Sequence, residues 1–430
     1  MPPSVREWLP AGHLAWWLLE VVEQLELDGF YAVYRADGSG RPAHEPRMMV
    51  ALLLYAYCVG ERSSRRIERL CEQDVAFRVI AANRAPDHTT ISRFRKRFAG
   101  PLAELFVQVL ALCEKAGMVK VGTVAVDGTK LAANAGLGAN RSYAKIRAEV
   151  ERMLEEADEV DAAEDERFGH ARGDELPAEL VDPVTRRERL EQAKRELEAE
   201  QAARVAEHDA MLARRAEHRR RTGKNPSGRP PGERPSSQPP AEAKRNVTDP
   251  DSRIMRDKGA HVQGYNAQAI VGEHRVILAA GVTASANDSH QLAPMLQAAR
   301  ANLQTIRHAG RIERLLADGG YWNHEQITQL GADGTLVLLP THDPHRHGRK
   351  KLPRQGAQAE RIEQLLATEA GRALYRRRAE LVEPVFAHTK HTRQITRFSR
   401  RGLTAAQAEW NLITATHNLL KLFRYQPQTA

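Results

Sequence analysis

Two short apolar runs, each ending on Asp-Gly, constrain this chain more than any other feature in it. VGTVAVDGT covers 121–129 and IERLLADGG covers 312–320. An apolar run of this length, bounded by turn residues, is the pattern of a strand buried on both faces. Buried strands of this kind need a sheet covered on its faces, a requirement that an α/β layer meets. Each run also hands a carboxylate, Asp127 or Asp318, to a Gly-containing turn at the strand's end or just inside it. Asp-Gly is equally a good turn dipeptide, so a purely structural Asp is the competing reading at both places.

The segments around these runs set the organisation. Residues 1–120 read as an all-helical domain, with an amphipathic run from Leu14 to Leu27 and a second helix opened by Pro46. Helices over Glu61 to Leu70 and Asp74 to Ala81 follow, then PDHTTISRFRKRF at 86–98. There Asp87 or Thr89 can cap a helix that shows Arg93, Arg95, Lys96 and Arg97 to solvent and turns Ile91, Phe94 and Phe98 inward. A short helix, a turn with Asn83 and Pro86, and a basic helix form the pattern of a DNA-contacting helix-turn-helix. A bundle helix with a solvated basic face is the alternative.

Residues 121–139 hold the first strand of the α/β domain. Residues 140–245 interrupt it. Ile146 to Asp161 and Glu188 to Arg215 have the Ala, Glu, Arg and Leu content of long solvated helices, a hairpin in the simplest arrangement. Arg219 to Pro240 is rich in Arg, Gly, Ser and Pro and reads as a flexible basic linker. Residues 246–430 complete the domain. Gly264 to Gly272 and His274 to Ser285 form a hairpin, Asp288 caps a helix through Leu292, Leu296 and Ala299, and Ile312 to Ala317 is a strand. A helix over Asn323 to Leu330, a strand over Thr335 to Pro340 and the helix Trp410–Phe423 finish the chain. With the insertion removed, the order of elements is compatible with an RNase H-like mixed sheet with flanking helices; the strand pairing is not visible in it.

The formal net charge of +9 on 430 residues points to a polyanionic partner, most simply nucleic acid. Three cysteines form neither a zinc spacing nor an even disulfide framework. Met1 to Pro10 carries charges and no apolar core of a signal, and Met48 to Val59 is too short to span a bilayer. The expectation is a cytoplasmic protein without a membrane partner.

A third carboxylate comes from YRRRAELVEPVFAHTK, 375–390. Tyr375 with Arg378, and Glu383 with Lys390, share helical faces by spacing. The step of five from Arg378 to Glu383 does not, so Pro384 is expected to kink or begin a helix. Leu381, Val382, Val385 and Phe386 surround Glu383. A carboxylate in that setting is paired, here with Arg378 or Lys390, or bound to a metal. Asp127, Asp318 and Glu383 together are hard oxygen donors of the kind Mg²⁺ takes. Two such ions about 3.5–4 Å apart activate an attacking oxygen and stabilise a leaving one in phosphoryl displacement.

VAVDGTK, LLADGGYWN and Y-x2-R-x4-E-P-x-F-x3-K, with TDPDSR, GYNAQ, AND and EPRMMVALLLYAY before PDHTTISRFRKRF, resemble the DDE-type transposases of bacterial insertion sequences. The blocks agree in order over almost the whole chain outside 140–245. The resemblance implies a catalytic, metal-binding triad at Asp127, Asp318 and Glu383, with two Mg²⁺ or Mn²⁺ ions. It implies DNA contacts from Tyr375, Arg378 and Lys390, to which Lys130 adds a phosphate contact. One departure is that four residues separate Arg378 from Glu383 where the family has three; Glu383 is preferred to Glu380, and Arg377 is a rival for the role of Arg378. The implied partners are terminal inverted repeats and target DNA, with a homodimer or larger assembly on them, and the protein is nucleoid-associated when bound. Two other classes stay open: a catalytically silent DNA-binding relic, and a metal-dependent nuclease without strand transfer.

Other polar residues have plainer readings. Asp249 and Asp251 read as a structural cap or as partners for Arg253 or Lys258. His342, Asp343, His345 and His347 read as a basic loop near DNA in preference to a metal cluster. Trp322 reads as core, and Tyr321 as either core or a surface for stacking a base.

Overall fold

The computed structural model describes residues 7–32, 44–153, 181–226, 231–257, 259–341 and 356–425. The chain divides into two compact units, Met1–Asn134 with Met255–Ala430, and Ala135–Ile254.

Among the described residues the larger unit begins with the helices α1 (Leu14–Val22), α2 (Asp28–Tyr31), α3 (Pro46–Cys58), α4 (Ser64–Gln73), α5 (Val75–Ile80), α6 (His88–Arg97) and α7 (Ala99–Lys115). Local chemistry fixes their starts. Pro46 occupies the first turn of α3 while Glu45 accepts from Met48 N, and Asp87 caps α6 by accepting from Thr90 N. Ala82 and Asn83 turn the chain between α5 and α6 with positive φ. These helices are not a separate body: α3 and α7 pack on α14 (Leu403–Phe423), the last helix of the chain. Arg393 ties the same region together from the interior, donating to the carbonyls of Tyr57 and Ile413.

The sheet is built from β1 (Thr123–Ala132), β4 (Arg253–Asp257), β5 (Ala260–Val271), β6 (Ile277–Thr283), β7 (Arg314–Leu316) and β8 (Leu336–Leu338). Strand β5 pairs antiparallel with β1 and β6, while β7 lies parallel between β1 and β8. The path β6-β5-β1-β7-β8 places the first strand at the centre of a mixed sheet, and β4 joins beside β5. Helix α10 (Leu292–Thr305) covers β5 and β6; after α11 (His324–Ala332) and α12 (Ala357–Ala367), α13 (Glu369–Ala387) covers β1 and β5. Trp410 of α14 is fully buried and donates from Nε1 to the Gln268 carbonyl at 2.9 Å. The α/β, RNase H-like expectation agrees with this mixed sheet and its helical cover.

One local expectation is narrowed and one is corrected. Of the two roles open to Pro384, beginning a helix is excluded, since α13 runs through it. The Glu380 carbonyl, which loses its helical donor to the proline ring, accepts instead from Arg275 Nε at 3.0 Å. Nor does Asp288 cap α10, whose N-cap is Gln291 with no side-chain bond.

The smaller unit pairs β2 (Asn140–Ser142) with β3 (Lys244–Asn246) and, among its described residues, holds helices α8 over 143–153 and α9 (Val181–Thr222). Tyr143, Ile146 and Val150 of α8 pack on Leu190, Ala193 and Leu197 of α9, a hairpin of helices around one apolar seam. The segment expected to be a flexible linker is partly laid along α9. Gln201 donates to the Ser236 carbonyl at 2.6 Å, and Arg234 forks onto Asp209 at 2.7 and 2.9 Å. Arg245 is buried here against Glu200 at 2.6 Å.

Candidate active site

Parallel pairing brings the two aspartates together. Val124 of β1 is opposite Leu315 of β7, and Asp127 and Asp318 each lie three residues further on. They therefore stand at the same level on neighbouring chain segments. Asp127 is not at a strand end, since β1 continues to Ala132. Asp318 follows β7 and caps a short 3-10 turn, Gly319–Tyr321, accepting from Gly320 N at 2.7 Å.

The carboxylate of Asp127 accepts from Arg378 Nη1 at 3.0 Å and from Gly128 N at 2.8 Å. Burial pushes its pKa up to about 6; Arg378 opposes that shift and Asp318 adds to it. Tyr375, one helical turn before Arg378, has its phenol pKa raised by burial, with Asp318 among the neighbouring charges. Lys130 sits 3.6 Å from Asp288. Its pKa is lowered by burial against the pull of Asp288, Asp318 and Asp127, so its ammonium lies within the field of all three carboxylates.

Asp288, expected to be a helix cap, belongs to this cluster. It accepts from Asn266 Nδ2 at 2.6 Å and Gln268 Nε2 at 2.7 Å. Gln268 also accepts from the hydroxyl of Tyr321, a fully buried residue, which settles Tyr321 as core; Trp322 is half-buried. A side chain on Gly128 would come within 2.3 Å of Gln268 Nε2 and 2.8 Å of Asn266 Oδ1. Glycine after Asp127 is thus needed for close approach, not for the turn that Asp-Gly suggested. Sequence reading missed Asn266, Gln268 and Asp288. Their signal was the GYNAQ motif with Asn266 and Gln268 two apart, which puts both on one face of a strand.

Glu383 is placed differently. Leu381, Val382, Val385 and Phe386 are buried as expected, but Glu383 itself is exposed on the outer side of α13. Neither expected ion pair forms: Arg378 turns to Asp127, and Lys390, within the π-helical turn His388–Thr392, lies 3.5 Å from Asp257. Among the described residues no three His, Cys, Asp or Glu side chains converge to hold a metal ion. The donor set of Asp127 and Asp318 nevertheless suits a hard divalent cation. Asp127 is desolvated beside a second carboxylate, a setting in which a cation favours the ionised form.

Of the basic residues on α6, Arg93, Lys96 and Arg97 are exposed. Arg95 is not: it is 8% exposed and donates to the Arg62 carbonyl at 2.7 Å and the Tyr57 hydroxyl at 3.3 Å. The face assigned to Arg95 by periodicity is occupied by the N-terminal end of α4, whose Ser64 hydroxyl also accepts from it. Asp249 is buried and its amide is bound by Asn246 Oδ1, while Arg253 donates to backbone carbonyls at 250–252. Lys258, His342, Asp343, His345 and His347 lie outside the described residues.

A family model described as Transposase DDE domain matches residues 202–419, about half of the chain, and one described as Transposase domain (DUF772) matches residues 3–97. Asp318, Arg378 and Glu383 fall inside the first match, and Asp127 lies between the two. Among curated proteins and among solved structures, no match to the chain was found.

Proposed function

Because the chain belongs to the transposase DDE domain family, we propose that it binds the terminal inverted repeats of an insertion sequence, cleaves DNA there and joins the freed 3′-hydroxyl to target DNA. The observation that carries this reading is the pair Asp127 and Asp318, level on adjacent segments, with Asp127 desolvated and held by Arg378.

Asp127 and Asp318 would hold Mg²⁺ or Mn²⁺, two ions in the full reaction, and such ions supply Lewis acidity at the attacking and leaving oxygens. Arg378 orients the Asp127 carboxylate and stands ready to meet a phosphate. Lys130, held by Asp288, offers a second cation at the same place. Tyr375, hydrogen-bonded to Arg378 and within the field of Asp318, supports the same guanidinium. Glu383 completes the set in this proposal when α13 carries DNA. The exposed Arg93, Lys96 and Arg97 supply contacts away from the chemistry, and a dimer or larger assembly brings two element ends together. No described helix is long and apolar enough to cross a membrane.

The test is a metal-dependent cleavage and joining assay on DNA bearing the element's ends. Asp127→Ala, Asp318→Ala and Glu383→Ala are each expected to lose both reactions while still binding ends. If Asp127→Ala and Asp318→Ala cut like the wild type, the assignment is wrong. A wild type that binds ends and never cuts is a silent DNA-binding relic, and one that cuts without joining is a nuclease.

A further inference from the structure

A second basic site lies where β5 turns into β6. The turn contains His274 and Arg275, both with left-handed backbone, φ 58° and 61°. Two successive residues with side chains in that region persist only where the surroundings hold them. Here the Arg275 carbonyl accepts from His417 Nε2 at 3.2 Å, and Arg275 Nε donates to the Glu380 carbonyl left free by Pro384. The guanidinium is thereby fixed at the edge of a cavity of about 410 Å³.

Lys421 and Arg424 from the end of α14 line the same cavity. Among the described residues, none of Arg275, Lys421 and Arg424 forms an ion pair with a carboxylate. Two acidic residues are present: Glu273, already paired with Arg377 at 2.9 Å, and the exposed Glu380. Three cations facing one cavity repel one another, and the Lys421 ammonium has its pKa lowered by burial and by Arg275 and Arg424. An arrangement of this kind is stabilised by an anion.

We propose that this cavity seats a backbone phosphate of the DNA on which the transposase acts. It would be a second anchor on α13, whose Arg377 lines the cavity while the next residue, Arg378, reaches Asp127. Successive residues on a helix point about 100° apart, so one helix can present two faces to one duplex. The inference rests on the transposase reading, from which its test is separable.

The measurement is affinity for end-bearing duplex as a function of salt, without divalent metal, on the full chain. Lys421→Gln and Arg424→Gln are used, since neither side chain makes a described hydrogen bond whose loss would unfold the protein. Each is expected to weaken binding several-fold at low salt and to flatten the log–log slope by up to about 0.9 for each phosphate no longer neutralised. Cleavage at saturating DNA should persist in both, and their melting temperatures should match wild type. Variants that bind with wild-type affinity and slope, while the wild type binds and cuts, overturn the anchor and leave the transposase reading standing. Inorganic phosphate is the second probe. If it stabilises the wild type against heat but not the variants, and the DNA slope is unchanged, the site takes free phosphate and the DNA assignment is wrong. If the wild type does not bind DNA at all, both readings fail.

Discussion

Arg378 on α13 holds Asp127 on β1 across 251 positions of sequence, Nη1 to Oδ2 at 3.0 Å. A buried carboxylate that keeps its partner is poised to ionise, and one that loses it is not. Arg378→Met should therefore depress cleavage by about 100-fold, the scale seen when a single charge-stabilising donor is removed from an active site. Arg378→Lys should restore little, because a lysine cannot reproduce the planar fork. Single-turnover rates at saturating DNA test this; a lysine variant with wild-type rate contradicts it.

Asp288 offers a sharper test of the cluster. Asp288→Asn removes the charge that holds Lys130 but, since Asp288 does not cap α10, should leave the helix intact. Cleavage is expected to fall by about 10–100-fold, the range for residues that support the ligands of a metal site, with end binding and melting temperature little changed. Pairing this change with Lys130→Met should give much less than the product of the two effects, as residues acting as a unit do. Multiplicative losses would show that the two act separately.

Gly60 ties the helical region to the segment after α13. Its φ is +86°, and a Cβ there would lie 2.6 Å from the carbonyl oxygen of Arg393. Gly60→Ala should cost at least about 1–3 kcal/mol, the range for a side chain forced into a rare backbone region. Thermal or denaturant unfolding measures it, and an unchanged midpoint refutes the close approach.

The basic residues of α6 should separate into two classes. Arg95→Ala leaves the Arg62 carbonyl without its buried donor and is expected to destabilise by about 1–3 kcal/mol. Arg93→Ala and Lys96→Ala should change stability by no more than about 0.5 kcal/mol. If they meet phosphate, each should lower the salt slope of DNA binding by about one. Equal stability for all three variants would put Arg95 on the surface.

His417 makes stability depend on pH. It is buried on α14, near Arg393, His388 and Lys421, and its pKa is pushed down to about 3, first by burial and then by Arg393, with smaller effects of His388 and Lys421. A depressed folded pKa means that the unfolded chain takes a proton the fold refuses. The stability contributed by neutral His417 is thus complete above about pH 6.5 and is lost as pH falls toward 3. The slope is about 1.4 kcal/mol per pH unit in that window. His417→Gln should flatten the dependence measured by denaturant unfolding between pH 6.5 and 4; an unchanged slope assigns it to other groups.

Local chemistry written in the sequence determined much of this. Helix starts at Pro46 and Asp87, the two buried strands, the inward Ile91, Phe94 and Phe98, and the hairpin before Asp288 depend on nearest neighbours and periodicity, which a linear reading contains. Asp127 and Asp318 were legible as candidates for the same reason. What tertiary structure decided is which side chains meet. The register of β1 on β7 levels the two aspartates, and the path of α13 turns Arg378 inward and Glu383 outward. A neighbour across the sheet recruits Asp288 from a capping position, and α4 buries Arg95. Burial and pairing between residues tens or hundreds of positions apart depend on how elements pack. Periodicity fixes only the face on which a residue lies, not what that face will meet.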